Sequence, residues 1–339
     1  MGSKFVHYRL GIVIAAGIMG ACSNGSTPMA GTVQQIAPPG IGAARFALAR
    51  QHSRQNGQKP SWMAPGASKK NLLYVTNYDF NDVSVYSYPK GKLLGTLTGF
   101  DLPTGECSDA AGNVFITNFL ASQILEYAHG GTSPKATLSD PGEYPVGCAV
   151  DPTTGNLAVT NQLTTGYSSG DLAIYPNATG TPKTYTSPDF YYYFFCTYDN
   201  KGNLYIDGLN SSSAGEYAEL PAGGNYLQSI TIDQDIYPLG IQWDGKYLAI
   251  GAQSVEQVYG FQISGTTGTL KRTTDLTGAT EVTQFLIQKG KRHKGATLIG
   301  PDYGQGHDVD YWHYPAGGYA FKTLEGLDGP FGVAISKAK

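Results

Sequence analysis

Leu72–Asn77 (LLYVTN) is the first of six related stretches, and the recurrence of this stretch decides the fold. The other five read, in chain order, VFITN (114–118), LAVTN (157–161), LYIDG (204–208), LAIGA (248–252) and TLIGP (297–301). Counted from Leu73, successive copies lie 41 to 49 residues apart. Each copy is a short apolar run with the length of a buried β-strand. The chain therefore repeats one structural unit six times.

Each unit carries four strand signals in the same order. A strand that ends in Asp comes first, and a tight turn such as Asp109–Asn113 (DAAGN) joins it to the repeated stretch. Gly and Asn supply the positive φ that such turns need, and Asp accepts hydrogen bonds from its own turn. Two further strands, such as Ile124–Ala128 and Lys135–Leu138, complete the unit. This period and strand count predict an all-β, six-bladed β-propeller with four-stranded antiparallel blades.

The segments near the two ends of the sequence complement each other. Residues 329–336 (GPFGVAIS) resemble the first strand of a unit, but no second strand follows them. Near residue 72, a second strand has no first strand before it. We therefore expect the N- and C-terminal strands to pair in one blade and close the ring, so that the propeller spans residues 71–339.

Residues 1–22 have the pattern of a lipoprotein signal peptide. Lys4 and Arg9 precede an apolar stretch, Leu10–Ala21, that is too short to span a bilayer. The stretch leads into Met19-Gly20-Ala21-Cys22, which resembles the lipobox of bacterial lipoproteins. That resemblance implies a lipid on Cys22 and a place in the bacterial cell envelope, on the outer-membrane or periplasmic side. Ordinary secretory cleavage, with a secreted product, is the alternative.

Residues 23–70 are rich in small polar residues, Pro and Gly, which predicts a flexible tether. Over the whole chain, 45 Gly, 19 Pro and only 14% charged residues are typical of turn-rich β-structure. The net charge of −3 does not favour nucleic acid as a partner. We therefore expect no nucleic acid, and a membrane contact only through the N-terminal lipid.

Three cysteines remain once Cys22 is assigned to the lipid. Cys107, Cys148 and Cys196 fall in the first strands of successive units. We expect them to be buried thiols that pack as small apolar residues. Side chains alternate along a strand, so Cys107 and Cys148 point opposite ways and could instead face each other across one blade interface. The sequence contains no Cys-x-x-Cys pair, so these cysteines do not predict a zinc site.

Two local motifs contain chemically reactive residues. Gly166–Gly170 (GYSSG) matches the Gly-x-Ser-x-Gly nucleophile elbow, but that motif requires a strand–turn–helix context and here lies between two propeller strands. Residues 302–310 (DYGQGHDVD) contain Asp302, His307 and Asp308, which are weak candidates for a Ca²⁺ site. Their spacing matches no known calcium loop, so a solvated loop is the preferred interpretation. We predict no catalytic residue and no cofactor.

One face of the predicted ring collects aromatic and amide side chains. The loops after the repeated stretches and the loops before the first strands meet at this rim. Aromatic rings beside amide groups suit a neutral sugar or a peptide, and the alternative is that they only seal the ring. The candidate ligand-binding residues are Asn77, Tyr78, Asn118, Phe119, Tyr144, Asn161, Tyr192 and Tyr237.

The repeats resemble those of NHL-type propellers, whose blades carry Pro-x-Gly-x-x-x-Asp followed by Gly-Asn-Leu-Tyr-Val. Segments 88–92 (YPKGK), 126–134 (EYAHGGTSP) and 149–161 (AVDPTTGNLAVTN) are also similar to a group of bacterial envelope propeller lipoproteins. The resemblance covers residues 70–339. It implies a propeller fold and an envelope location, and it implies no activity because none is established for that group.

Three functions are compatible with these observations. We expect a binding or scaffolding module tethered to the envelope, with an envelope protein or a polysaccharide as its partner. The first alternative is a metal-dependent hydrolase or lactonase. Gluconolactonase-like propellers resemble this fold and hold a channel cation with a Glu, an Asn and an Asp. Of this set, only the Glu has a counterpart here, which is Glu106 in a first strand. The second alternative resembles propeller lyases and would use His307 as the base.

Overall fold

The computed structural model describes residues 60–253, 255–290, 295–304 and 306–339. These residues form six sheets, each with four main strands that pair antiparallel, and neighbouring sheets contact one another in a ring. The predicted six-bladed β-propeller is therefore confirmed. The predicted signal peptide, Cys22 and residues 23–59 of the predicted tether lie outside the described residues.

The strands of each blade are given from the axis outwards. Blade 1 contains Pro330–Ser336, Leu72–Asn77, Asp82–Ser87, Leu93–Leu97 and Trp62–Met63. Blade 2 contains Pro103–Ser108, Val114–Asn118, Gln123–Tyr127 and Pro134–Ser139. Blade 3 contains Glu143–Val150, Leu157–Thr164, Ser169–Tyr175 and Lys183–Tyr185.

The other half of the ring has the same order. Blade 4 contains Tyr192–Tyr198, Leu204–Leu209, Gly215–Leu220 and Gln228–Ser229. Blade 5 contains Pro238–Trp243, Leu248–Ala252, Gln257–Ser264 and Thr267–Thr277. Blade 6 contains Leu286–Gln288, Ala296–Asp302, Asp308–Tyr314 and Lys322–Leu324. The outer strand of blade 5 also pairs in parallel with Thr231–Ile232 and Gly318–Tyr319.

The helices of the described residues are short 3-10 turns at Ala67–Lys69, Phe119–Ala121 and Pro176–Ala178. Within this part of the chain, no helix is both long and apolar enough to cross a membrane.

Blade 1 is built from segments that lie far apart in the sequence. Pro330–Ser336 pairs antiparallel with Leu72–Asn77, so the predicted closure of the ring by N- and C-terminal strands is confirmed. His129 of blade 2 supports this junction. Its Nδ1 lies 2.6 Å from Ser336 Oγ, and its Nε2 lies 3.0 Å from the carbonyl oxygen of Lys70.

Blade 1 also has a fifth, short strand at its outer edge. Trp62–Met63 pairs with Leu93–Leu97, and Gly95 permits this approach because a Cβ there would lie 2.6 Å from Met63 Sδ. The extra strand covers backbone groups of an edge that would otherwise stay unpaired. Residues 60–70, which we predicted as the last part of the tether, thus include a segment paired with the propeller.

The hydrophobic core is distributed over the interfaces between blades. Between blades 1 and 2, for example, Tyr74 and Val83 belong to one buried cluster with Val114 and Tyr127. Burial of apolar surface stabilises such an interface by roughly 25 cal/mol per Å². Because every blade takes part in two interfaces, the ring depends on all six.

The Thr of the repeated stretch links one blade to the next. Thr76, Thr117 and Thr160 are fully buried, and each hydroxyl donates to a carbonyl oxygen of the following blade at 2.5 to 3.2 Å. The acceptors lie in first strands, at Thr104, Val146 and Phe194. Blade 4 carries Asp207 at this position, and its Oδ1 accepts a hydrogen bond from the N–H of Phe195 at 2.7 Å.

Cys107 and Cys148 form a disulfide that joins the first strands of blades 2 and 3, with their Cα atoms 5.7 Å apart. The expectation of packed thiols was wrong for this pair. Alternation along each strand turns the two side chains towards the same interface, which is the second possibility that the sequence left open. Cys196 is a free thiol and is buried, as predicted.

Candidate functional site

Aromatic side chains fill the channel near the rim. Phe331 of blade 1 and Phe195 of blade 4 belong to opposite blades, and their ring centroids are 6.1 Å apart. Tyr78 and Tyr303 both lie with their centroids 5.9 Å from that of Phe331. All four side chains are buried. At this level the channel presents aromatic rings, whereas a channel cation such as Ca²⁺ needs several oxygen ligands.

Glu106, the one residue with a counterpart in the lactonase-like ligand set, is a buried carboxyl group with 1% of its surface exposed. It lies within electrostatic reach of Tyr74, which belongs to the interface between blades 1 and 2. Burial raises the pKa of Glu106 well above its usual range. Desolvation favours the neutral form of such a group, and a neutral carboxyl group is a poor cation ligand.

Five of the eight predicted rim residues are buried: Asn77, Tyr78, Asn118, Phe119 and Asn161. The asparagines hold the loops that follow the repeated stretches. Asn77 Nδ2 donates to Asp82 Oδ1 at 2.6 Å, and Asn118 Oδ1 accepts from the N–H of Asp101 at 2.7 Å. These side chains are therefore occupied by the structure of the rim itself.

The other three predicted residues, Tyr144, Tyr192 and Tyr237, are partly exposed. They occur at the start of the first strands of blades 3 and 4 and immediately before the first strand of blade 5. Two further tyrosines are also partly exposed. Tyr167 lies in a hairpin turn of blade 3, and Tyr191 directly precedes the first strand of blade 4. We call these five tyrosines the aromatic row.

Ring contacts and one hydrogen bond connect members of the aromatic row. The centroids of Tyr144 and Tyr167 are 6.3 Å apart, and those of Tyr191 and Tyr192 are 4.9 Å apart. The hydroxyl of Tyr191 donates to the carbonyl oxygen of Tyr167 at 2.8 Å. Beneath the row, Phe119 stacks on Tyr144 with centroids 4.7 Å apart and an interplanar angle of 7°.

Tyr167 was missed by the sequence analysis because it lies in the Gly-x-Ser-x-Gly segment. That segment forms the hairpin turn between Leu157–Thr164 and Ser169–Tyr175, and Tyr167 has a φ of 61° there. The segment thus lies between two propeller strands, as predicted, and lacks the strand–turn–helix context of a nucleophile elbow. The only sequence signal for its role is an aromatic residue at the tip of a rim hairpin.

Three carboxyl groups accompany the aromatic row in blade 3. Asn161 Nδ2 donates to Asp140 Oδ2 at 3.0 Å and to Asp171 Oδ1 at 2.7 Å. Burial, with added repulsion from Asp171 and Asp140, raises the pKa of Glu143 to about 8. Burial also raises the pKa of Asp171 to about 6. The raised pKa favours the protonated form of Glu143, which can donate a hydrogen bond next to Tyr144.

The three weak metal candidates have different surroundings. Asp302 accepts hydrogen bonds from the N–H and hydroxyl of Thr280 and from the N–H of Glu281, at 2.8 to 2.9 Å, so its carboxylate holds a loop. Burial and neighbouring carboxylates raise the pKa of Asp308 to about 6. His307 Nδ1 lies 3.6 Å from Asp328 Oδ1, a partner that the spacing within 302–310 does not reveal.

The fold defines the protein as a six-bladed β-propeller. No protein-family model and no curated protein matches the chain. Among solved structures, a chain of the nidogen/laminin complex is similar, with a TM-score of 0.63 and 13% identity, over 79% of this chain and 99% of that chain.

Two bacterial structures are similar to a comparable extent. A protein of unknown function from Bacteroides caccae has a TM-score of 0.59 and 12% identity, over 79% of this chain and 99% of that chain. A functionally unknown protein from Desulfotomaculum acetoxidans DSM 771 has a TM-score of 0.55 and 11% identity, over 80% of this chain and 100% of that chain. At these identities the likeness shows the fold alone.

Proposed function

We propose that this protein is a binding module of the bacterial cell envelope and that it holds its ligand on the aromatic row. The observation that carries the proposal is the partly exposed Tyr at closely equivalent positions of three consecutive blades, Tyr144, Tyr192 and Tyr237. Exposed aromatic rings with polar groups beside them are a common surface for sugars and peptides.

The geometry of the row favours a chain-like ligand. Successive blades are related by rotation about the axis, so equivalent residues follow one another along an arc at the rim. A polysaccharide or an extended protein segment can contact such rings one after another. The hydroxyls of Tyr192 and Tyr237 and the protonated Glu143 supply hydrogen-bond donors along the same arc.

The N-terminal sequence supports the location. A lipid on Cys22 would hold the propeller at a membrane surface, with the segment after it as a tether, and the partner is then an envelope protein or a polysaccharide. Mass spectrometry of the N-terminal peptide from native cells tests this part. A diacylated Cys22 supports it, and an unmodified N-terminus after secretory cleavage contradicts the anchor.

The binding proposal is tested with a variant that combines Tyr144→Ala, Tyr192→Ala and Tyr237→Ala. If each ring contributes about 1 kcal/mol to binding, the variant loses roughly a hundredfold in affinity. Affinity electrophoresis in gels that contain neutral polysaccharides measures one ligand class. Photo-crosslinking from position 192 in cells of the source bacterium tests for the other class, a protein partner.

The matched control combines Tyr226→Ala and Tyr319→Ala, which remove tyrosines that are 62% and 79% exposed and lie outside the row. We expect the control to bind as the wild type does. Equal affinity of the row variant and the control would contradict the proposal. The proposal would also be contradicted if the wild type binds no polysaccharide and a chain with a photoreactive residue at position 192 forms no crosslink.

A further inference from the structure

Three side chains of metal-binding type meet at the rim between blades 6 and 1. Asp79, His307 and Asp328 each offer a ligand atom, and these atoms all lie within 4.8 Å of one another. Asp79 follows the second strand of blade 1, His307 precedes the third strand of blade 6, and Asp328 precedes the closing strand. We call these residues the rim triad. We propose that the rim triad binds one divalent cation of the Zn²⁺ type.

The separation of the ligand atoms suits a single ion. Two ligands that each lie about 2.1 Å from Zn²⁺ at a tetrahedral angle are roughly 3.4 Å apart. His307 Nδ1 lies 3.6 Å from Asp328 Oδ1. Small side-chain rotations are therefore enough to bring both atoms to one ion.

The hydrogen bond at His307 favours the form of the imidazole that binds metals. The N–H of Gly329 donates to His307 Nδ1 at 3.3 Å, so this nitrogen carries a lone pair in that arrangement. The Asp328 oxygen beside it is also an acceptor. A cation between them would take the lone pair of Nδ1 in place of the N–H of Gly329 and would replace the contact of two acceptors by two coordination bonds.

Gly329 also fixes the third ligand. Its φ is 60°, and a Cβ at this position would lie 2.7 Å from Asp79 Oδ2, so glycine permits an approach that a side chain would block. Its carbonyl oxygen accepts from the N–H of Tyr78 at 2.7 Å. The backbone next to Asp328 is thereby held against the loop that carries Asp79, which is itself 2% exposed.

The ligand types indicate the class of metal. One imidazole and two carboxylates suit Zn²⁺, Co²⁺ or Mn²⁺, whereas Ca²⁺ prefers six to eight oxygen ligands. Three protein ligands leave a fourth position for water in a tetrahedral site. The cation would connect blade 6 with both segments that build blade 1, so its binding should stabilise the closed ring. The inference does not depend on the function proposed for the aromatic row.

The test uses the full-length chain without an affinity tag, stripped with EDTA and dialysed against metal-free buffer. Calorimetric titration with Zn²⁺ should show one site per chain, and the melting temperature should rise with Zn²⁺ concentration. Co²⁺ should give the visible absorption of a four-coordinate site. A wild type without saturable Zn²⁺ binding at millimolar concentration would overturn the proposal, whatever the variants do.

His307→Gln and Asp328→Asn should each weaken Zn²⁺ binding by at least about tenfold. The matched control is His313→Gln, because His313 is exposed in the same strand region of blade 6 and stacks on Phe321 with centroids 4.5 Å apart. The control should bind as the wild type does. Equal affinity of folded His307→Gln and His313→Gln would overturn the proposal, and circular dichroism checks the folding of each variant.

Discussion

The side-chain amide of Gln284 forms two hydrogen bonds with the backbone of Glu106. Nε2 donates to the carbonyl oxygen and Oε1 accepts from the N–H, both at 2.8 Å. Gln284 precedes the first strand of blade 6 and Glu106 lies in the first strand of blade 2, so the contact reaches across blade 1. Gly332 of blade 1 leaves room for it, because a Cβ there would lie 2.9 Å from Oε1. A side chain thus pairs backbone groups on a strand edge that faces the axis.

Gln284→Ala should destabilise the propeller by about 2 kcal/mol, because it leaves the N–H and C=O of Glu106 without these partners. Urea unfolding followed by fluorescence measures the loss. Gln288→Ala is the control, since Gln288 Nε2 only reaches the carbonyl oxygen of Lys289 at 3.3 Å. Equal stability of the two variants would mean that water replaces the amide of Gln284 at no cost.

Deletion of residues 328–339 should abolish cooperative folding, because it removes the first strand of blade 1 and exposes the strand Leu72–Asn77. Differential scanning calorimetry should show no sharp transition. A chain that lacks only residues 337–339 keeps the closing strand and should melt nearly as the full chain does. An unchanged transition in the longer deletion is incompatible with the closure described above.

Replacement of both Cys107 and Cys148 by Ala should cost about 4 kcal/mol, since the disulfide closes a loop over a sequence separation of 41 residues. Thermal melting under non-reducing conditions measures this cost. A reducing agent should lower the melting temperature of the wild type and leave that of the double variant unchanged. Cys196→Ala is the control for loss of a buried sulfur and should be milder. Identical melting temperatures of the double variant and the wild type would show that the disulfide adds nothing to the stability of the folded protein.

Asp207 should make stability fall as the pH rises. Burial raises its pKa to about 7 in the folded protein, against about 4 in an unfolded chain. The folded state therefore binds the proton more tightly, so the contribution of Asp207 is full below pH 4 and is lost as the pH rises towards 7.

Asp207→Asn removes this titration. Its free energy of unfolding, compared with that of the wild type, should therefore rise by up to about 4 kcal/mol between pH 4 and pH 8. Urea unfolding of both proteins at the two pH values measures the difference. Asp207→Thr, which introduces the residue found at this position in blades 1 to 3, should lose the same pH dependence. A difference between variant and wild type that stays constant with pH would contradict the role of Asp207.

Much of the architecture could be predicted because a propeller repeats its local interactions. The Thr of LLYVTN, VFITN and LAVTN recurs because each hydroxyl reaches the first strand of the next blade. The closing strand was predictable from a first strand without a second. The disulfide was not decided, since alternation along a strand gives the direction of a side chain but not which neighbouring strand it meets.

The sites were harder to predict, because they depend on which loops the ring brings together. His307 appeared with Asp302 in the sequence, yet Asp302 binds Thr280 and Glu281, whereas His307 lies beside Asp328. Asp79 joins them only through closure of the ring. Similarly, the rim asparagines looked available in the sequence, but hydrogen bonds of their own loops occupy them.

The pairing of Leu72 with Ser336 also sets an order of events in time. A ribosome produces the second strand of blade 1 early and its neighbour only after more than two hundred further residues, so the ring stays open during most of synthesis. Contacts between such distant segments form slowly, and the unpaired edge is exposed to proteases and aggregation until then. A closed ring therefore forms only on a chain whose synthesis has continued past Ser336. A chain that stops a few residues earlier keeps the edge of Leu72–Asn77 unpaired, and this edge stays exposed to the proteases that remove unfinished proteins.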